Sequence, residues 1–152
     1  MKKNTILNLI TAVIAVLFFY AATSKLMDYS KSAWEMHNQV FPDTIAGILT
    51  WFIPVIELIL MLALLFPKTR IKALWGSLFL LSAFTIYIGI VITGVFGRVP
   101  CSCGGILKNM PYHLHLIFNL FFIAIALTGL GITYGWMKDI LFHHKRKEIA
   151  RN

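Results

Sequence analysis

Charge is missing from most of this chain: no Asp, Glu, Lys or Arg occurs over 4–24, 73–97 or 109–137, and the stretch 44–67 carries Glu57 alone. A helix on the surface of a globular domain needs a polar outer face, so these intervals exclude an ordinary soluble fold. Each is close to the roughly 20 residues with which a helix crosses a hydrocarbon core about 30 Å thick. Barrel strands are excluded as well, because they would alternate polar and apolar positions over about 10 residues. Internal repeats and low-complexity linkers are absent, which leaves no boundary for a second domain. The hydrophobic share of 59% lies well above the roughly 45–50% of soluble domains.

The expected fold is therefore all-α, a polytopic membrane protein built as a four-transmembrane-helix bundle, one domain over 1–152, with helices at about 6–22, 45–66, 73–96 and 114–137. The first segment imitates a secretory signal, since Lys2 and Lys3 precede an apolar run. That run exceeds the roughly 7–15 residues of a signal core, so it is read as a span. The loop 27–43, with Trp34 and Met36, suits a short interfacial helix.

Acidic residues are scarce, 6 against 14 Lys plus Arg, for a net charge of +8. The basic residues fall at alternate helix ends. Lys2, Lys3, Lys68, Arg70, Lys72, Lys138, Lys145, Arg146, Lys147 and Arg151 share one side, and only Lys25, Lys31, Arg98 and Lys108 the other. Such a bias is the positive-inside pattern. The expected setting is the bacterial inner (cytoplasmic) membrane, with both termini cytoplasmic and the loop 97–113 periplasmic or extracellular. The run His143-His144-Lys145-Arg146-Lys147 is an anchor on anionic lipid; no nucleic-acid partner is expected.

Cysteine is nearly absent too, and both copies stand together in Pro100-Cys101-Ser102-Cys103-Gly104-Gly105. In an oxidising compartment two such thiols form a disulfide. A bridge across one residue closes almost no chain and stabilises little, and strained or exposed disulfides are the labile ones. Cys101 and Cys103 are therefore candidates for thiol–disulfide exchange. Arg98 nearby favours a thiolate at Cys101 slightly. Two other readings stay open: an inert bridge or free thiols, and a zinc or Cu(I) site completed by His113 and His115. The metal reading fits less well, because zinc sites usually separate paired cysteines by two to four residues.

Tyr112, His115 and Asn119 recur at helical spacing and share one face of the fourth helix. They serve either as interfacial belt and interhelical hydrogen bonds or as a polar pocket beneath the cysteines. There a histidine lowers a thiol pKa or relays a proton. Glu57 falls about 16 Å below Ala46 at 1.5 Å per residue, a costly depth that marks a carboxylate as functional unless it is neutral and hydrogen-bonded. Lys25 is the nearest cation by sequence. Its side chain is expected to span only part of that depth, so a direct pair with Glu57 is left open, and Pro54 one turn earlier frees a backbone carbonyl.

Tyr20-Ala21-Ala22-Thr23-Ser24-Lys25-Leu26-Met27-Asp28 resembles the end of the first helix of DoxX-like membrane proteins, and Ile53-Pro54-Val55-Ile56-Glu57-Leu58 resembles their second. With the Cys101–Gly105 loop and His115-Leu116-Ile117-Phe118-Asn119, the pattern is similar to the MauE branch, the methylamine-utilisation and redox-associated membrane proteins. The resemblance implies a four-helix protein linked to disulfide chemistry, with a thioredoxin-like or exported disulfide-containing protein as partner and further membrane subunits beside it. No cofactor is read from the residues; a quinone enters through the resemblance alone. Well-known quinone-linked disulfide enzymes use more than one cysteine pair, and this chain has one. The expected function is thiol–disulfide exchange at Cys101 and Cys103, with Lys25, Glu57, Tyr112, His115 and Asn119 auxiliary. The alternatives are a non-enzymatic accessory subunit of a larger membrane complex and a copper- or zinc-handling protein.

Overall fold

The computed structural model describes residues 2–95 and 112–149, with side-chain surroundings for 3–95 and 113–135. The described residues form five helices: α1 Lys2–Met27, α2 Tyr29–His37, α3 Asp43–Leu65, α4 Arg70–Ile92 and α5 Tyr112–Ile149. Four of them contain stretches long and apolar enough to cross a membrane, Lys3–Met27, Asp43–Leu65, Arg70–Ile92 and His113–Gly135. The protein is an all-α, multi-pass membrane protein, and no strand occurs among the described residues.

The helices outrun the charge-free intervals, because Lys and Asn are compatible with a helix even where they are unwelcome in hydrocarbon. Thus α1 extends past the expected 6–22 at both ends, and α5 continues as one 38-residue helix beyond 137. Where helices stop, the local chemistry explains it. α3 gives way at Phe66, which is extended ahead of Pro67, as the residue before a proline prefers to be. α4 stops at Gly94, whose φ of +74° places it in the left-handed region and whose N–H donates to the Val91 carbonyl at 3.1 Å; only glycine takes that conformation freely.

α1 and α3 run antiparallel. Arg70 at the start of α4 donates to Asn8 Oδ1 at 2.9 Å near one end of α1, while Lys25 near the other end meets Glu57 in α3. The main core joins Leu7, Ile14 and Phe18 of α1, Leu64 of α3, Leu74 and Leu81 of α4, and Phe122, Ala126 and Leu130 of α5. Leu7, Ile14, Ala15, Phe18 and Ala22 fall on one stripe at helical spacing and are buried. Other faces carry Leu9, Val16, Phe79, Ile117 and Phe121, all exposed from the protein as lipid-facing positions should be.

In lipid, burying apolar area gains little, so close packing and satisfied polar groups hold the helices together. Gly76 illustrates the packing: a Cβ there would lie 2.6 Å from Leu60 Cδ2. Hydroxyls are kept quiet by their own helix. Thr11, Ser77 and Thr133 donate to the carbonyls of Leu7, Ala73 and Gly129 at 3.0, 2.7 and 2.8 Å, so these hydroxyls bring no unmet donor into the apolar interior. A smaller second core, Met36, Ala46 and Ile53 with Phe41, Leu49 and Phe84 around it, fastens α2 to α3. The expected short helix in 27–43 is therefore present; its Trp34 is exposed and its Met36 buried.

Candidate functional site

The ends of α1 and α4 and the start of α5 lie at one end of the bundle, from which the segment between Ile92 and Tyr112 emerges; this is called the loop end below. Cys101 and Cys103 are in that segment and lie outside the described residues, as does the side chain of Tyr112. Beneath the loop end the structure gathers the other candidates.

Glu57 is 3% exposed, and its Oε1 accepts from Lys25 Nζ at 2.6 Å. The expectation that Lys25 would span only part of the way is corrected, and the reason is geometric. Glu57 lies 14 residues after Asp43, so about 21 Å along α3 at 1.5 Å per residue. The Lys25–Glu57 contact sets the end of α1 near the level of Glu57, so α1 ends below the start of α3. Cα–Cβ bonds also lean toward the N-terminus of their own helix. In antiparallel helices that tilts Lys25 away from the loop end and Glu57 toward it, so the two long side chains converge.

The pair is incompletely satisfied. Glu57 Oε2 is buried with no protein partner. Pro54, three residues earlier in α3, lacks an N–H, so the Thr50 carbonyl has no helical donor; the Thr50 hydroxyl is already used, donating to the Ala46 carbonyl at 2.8 Å. Beside the pair is a small cavity of about 20 Å³, bounded by Lys25, by Ser32 and Glu35 of α2, and by Thr50 and Pro54 of α3. That is room for one water molecule with several polar partners.

α2 is tied to the bundle from its other side. Gln39, 2% exposed, accepts from the Tyr87 hydroxyl of α4 at 2.6 Å and donates to the Glu35 carbonyl at 3.1 Å. Phe41 stacks on Tyr87 with ring centroids 5.2 Å apart. On α5, His115 is half-buried and within Coulombic range of the Lys25 ammonium. Asn119, one turn deeper, is 5% exposed and its Nδ2 has no protein partner.

The site thus unites Lys25, Glu57 and His115, with Asn119 buried on the same face of α5. Sequence reasoning missed Glu35, Gln39 and Tyr87. Glu35 and Gln39 resemble solvated loop residues, and Tyr87 an ordinary belt tyrosine; the one available signal was Glu35 between Trp34 and Met36. Among the described residues no group of three or more His, Cys, Asp or Glu is placed to hold a metal ion, and Cys101 and Cys103 lie outside that set.

A family model described as methylamine utilisation protein MauE matches residues 3–132. The chain belongs to the MauE family. The matched stretch contains α1 to α4, the cysteine loop and the part of α5 that carries His115 and Asn119. Comparison of this MauE family member with curated proteins and with solved structures gives no match.

Proposed function

We propose that the protein is a membrane-embedded thiol–disulfide redox component that serves methylamine utilisation, exchanging electrons between Cys101/Cys103 and a thioredoxin-like or exported disulfide-containing protein. The supporting observation is the place of the Lys25–Glu57 pair, buried beneath the end of the bundle from which the cysteine segment emerges. A polar, charge-bearing interior at that position suits a reaction that takes up and releases protons. In the forward step one cysteine thiolate attacks the partner disulfide and displaces one partner sulfur as thiolate. The second cysteine, losing its proton to solvent, then attacks the mixed disulfide and displaces the other sulfur. Two electrons pass to the partner and the Cys101–Cys103 disulfide is left.

The same reading puts the cysteine loop on the periplasmic side of a bacterial inner membrane, with both termini cytoplasmic, from the basic residues at alternate helix ends. Kinship with the wider DoxX-like proteins belongs to it as well; in the reverse direction a partner dithiol reduces the Cys101–Cys103 disulfide, and a quinone would take the two electrons and two protons from the resulting cysteine thiols. The test is trapping. Cys101→Ser or Cys103→Ser should hold a mixed disulfide with the partner in intact cells, because the resolving thiol is gone. The wild-type bridge should have a reduction potential above the value of about −300 mV below which structural disulfides lie. No trapped partner in either variant, with a potential in the structural range, would leave the second reading, a non-enzymatic accessory subunit within the same methylamine-utilisation system. Stoichiometric copper or zinc, lost in both variants, would instead select metal handling.

A further inference from the structure

We infer that Glu35 is a second carboxylate partner for Lys25: when Glu57 takes up a proton, the Lys25 ammonium turns to Glu35 across a single water in the cavity between them. The buried site then keeps one ion pair in either state. A buried ammonium whose only counter-charge is neutralised is strongly unfavourable in an apolar interior. Protonation of Glu57 therefore calls for another counter-charge within reach of Lys25.

The structure supplies the remedy on the opposite side of Lys25. Glu35 is itself 6% exposed, an unusual degree of burial for a glutamate on a nine-residue helix at the edge of a bundle. It bounds the same cavity of about 20 Å³ as Lys25, with Ser32 and Thr50 as the other polar walls. A cavity of that size holds one water when two to four polar groups can bind it. Lys25 has three N–H donors, and only one of them is engaged by Glu57 Oε1.

Titratable groups on the elements around the site include Lys25 of α1, Glu35 of α2, Glu57 of α3, Tyr87 of α4 and His115 of α5, with Asp28 at the head of α2 engaged elsewhere. Tyr87 is committed to Gln39 at 2.6 Å, and His115 carries no negative charge in any state. Among the described residues, Glu35 is the carboxylate that borders the same cavity as Lys25 and so can replace Glu57 as counter-ion. Gln39 holds the Glu35 carbonyl at 3.1 Å, which fixes the turn of α2 that presents Glu35 to the cavity. The proton on Glu57 comes from water and returns to it.

The inference stands apart from the cysteine chemistry, and its test uses no redox readout. Glu57→Gln is a permanent copy of the protonated state. The full-length Glu57→Gln protein in detergent should assemble and melt within a few degrees of the parent, because Lys25 moves to Glu35, and Glu35→Gln should be similarly mild. The double variant strands the ammonium: its loss in melting temperature should far exceed the sum of the singles, and adding Lys25→Met should restore most of it. Additive losses would overturn the inference. So would failure of Glu57→Gln alone to assemble, or failure of Lys25→Met to rescue the double variant.

Discussion

The part of the bundle around Ile14, Leu74 and Ala126 and the part around Lys25 and Glu57 face the same absence of water and answer it differently. In the first, the buried hydroxyls are bonded within their own helix, as with Ser77 to the Ala73 carbonyl at 2.7 Å. The core between the helices there is built of apolar side chains. In the second, polar groups reach between helices, and two of them, Glu57 Oε2 and Asn119 Nδ2, remain without a protein partner. The apolar part depends on shape spread over many residues, so no single one is indispensable. The polar part depends on complementarity between a few named groups, and loss of one leaves another stranded.

The sharpest way to break that contrast is Lys25→Met. It removes the cation and leaves Glu57 and Glu35 buried together, at an expected cost of about 3–5 kcal/mol, the usual penalty for removing one partner of a buried pair. Thermal melting of the purified protein should show it as the largest loss of any single substitution in the bundle. Ile14→Ala should cost less, about 2 kcal/mol. A helix separated in lipid still buries Ile14 among acyl chains, so the transfer part of the usual 2–5 kcal/mol largely cancels and the cavity part remains. If Ile14→Ala proves as damaging as Lys25→Met in the same assay, the two parts are not different in kind. Tyr87→Phe sharpens the comparison at its small end. It deletes the 2.6 Å bond to Gln39 while keeping the ring on Phe41, and an interhelical hydrogen bond of this sort averages roughly 0.6 kcal/mol. Its melting shift should be the smallest of the three, and faster amide exchange should be confined to α2 and residues 38–42.

The same contrast explains what was legible beforehand. Absence of charge is a local property of the chain, so the four spans could be read directly from 4–24, 44–67, 73–97 and 109–137. The helix ends could not, because Lys2, Lys3 and Lys25 belong to α1 while marking the edge of its charge-free run. Lys25 and Glu57 were recognisable one by one. Their contact was not, since it depends on α1 ending below the start of α3, an offset that only the packed bundle defines. Glu35, Gln39 and Tyr87 became visible only when α2 folded back onto α3 and α4, for none differs in type from a solvated loop residue or an interfacial tyrosine.

The depth of Glu57, about 21 Å along α3 from Asp43, also has an electrical meaning. A cell membrane at rest carries a voltage across its thickness, and one elementary charge moved through all of it gains or loses about 2.3 kcal/mol per 100 mV. A carboxylate held partway through that drop, paired with the Lys25 ammonium at 2.6 Å, presents a short dipole on which the voltage has little grip. Once a proton neutralises that carboxylate, the charge held within the field changes by one unit, and the proton's occupancy becomes a function of how strongly the membrane is energised.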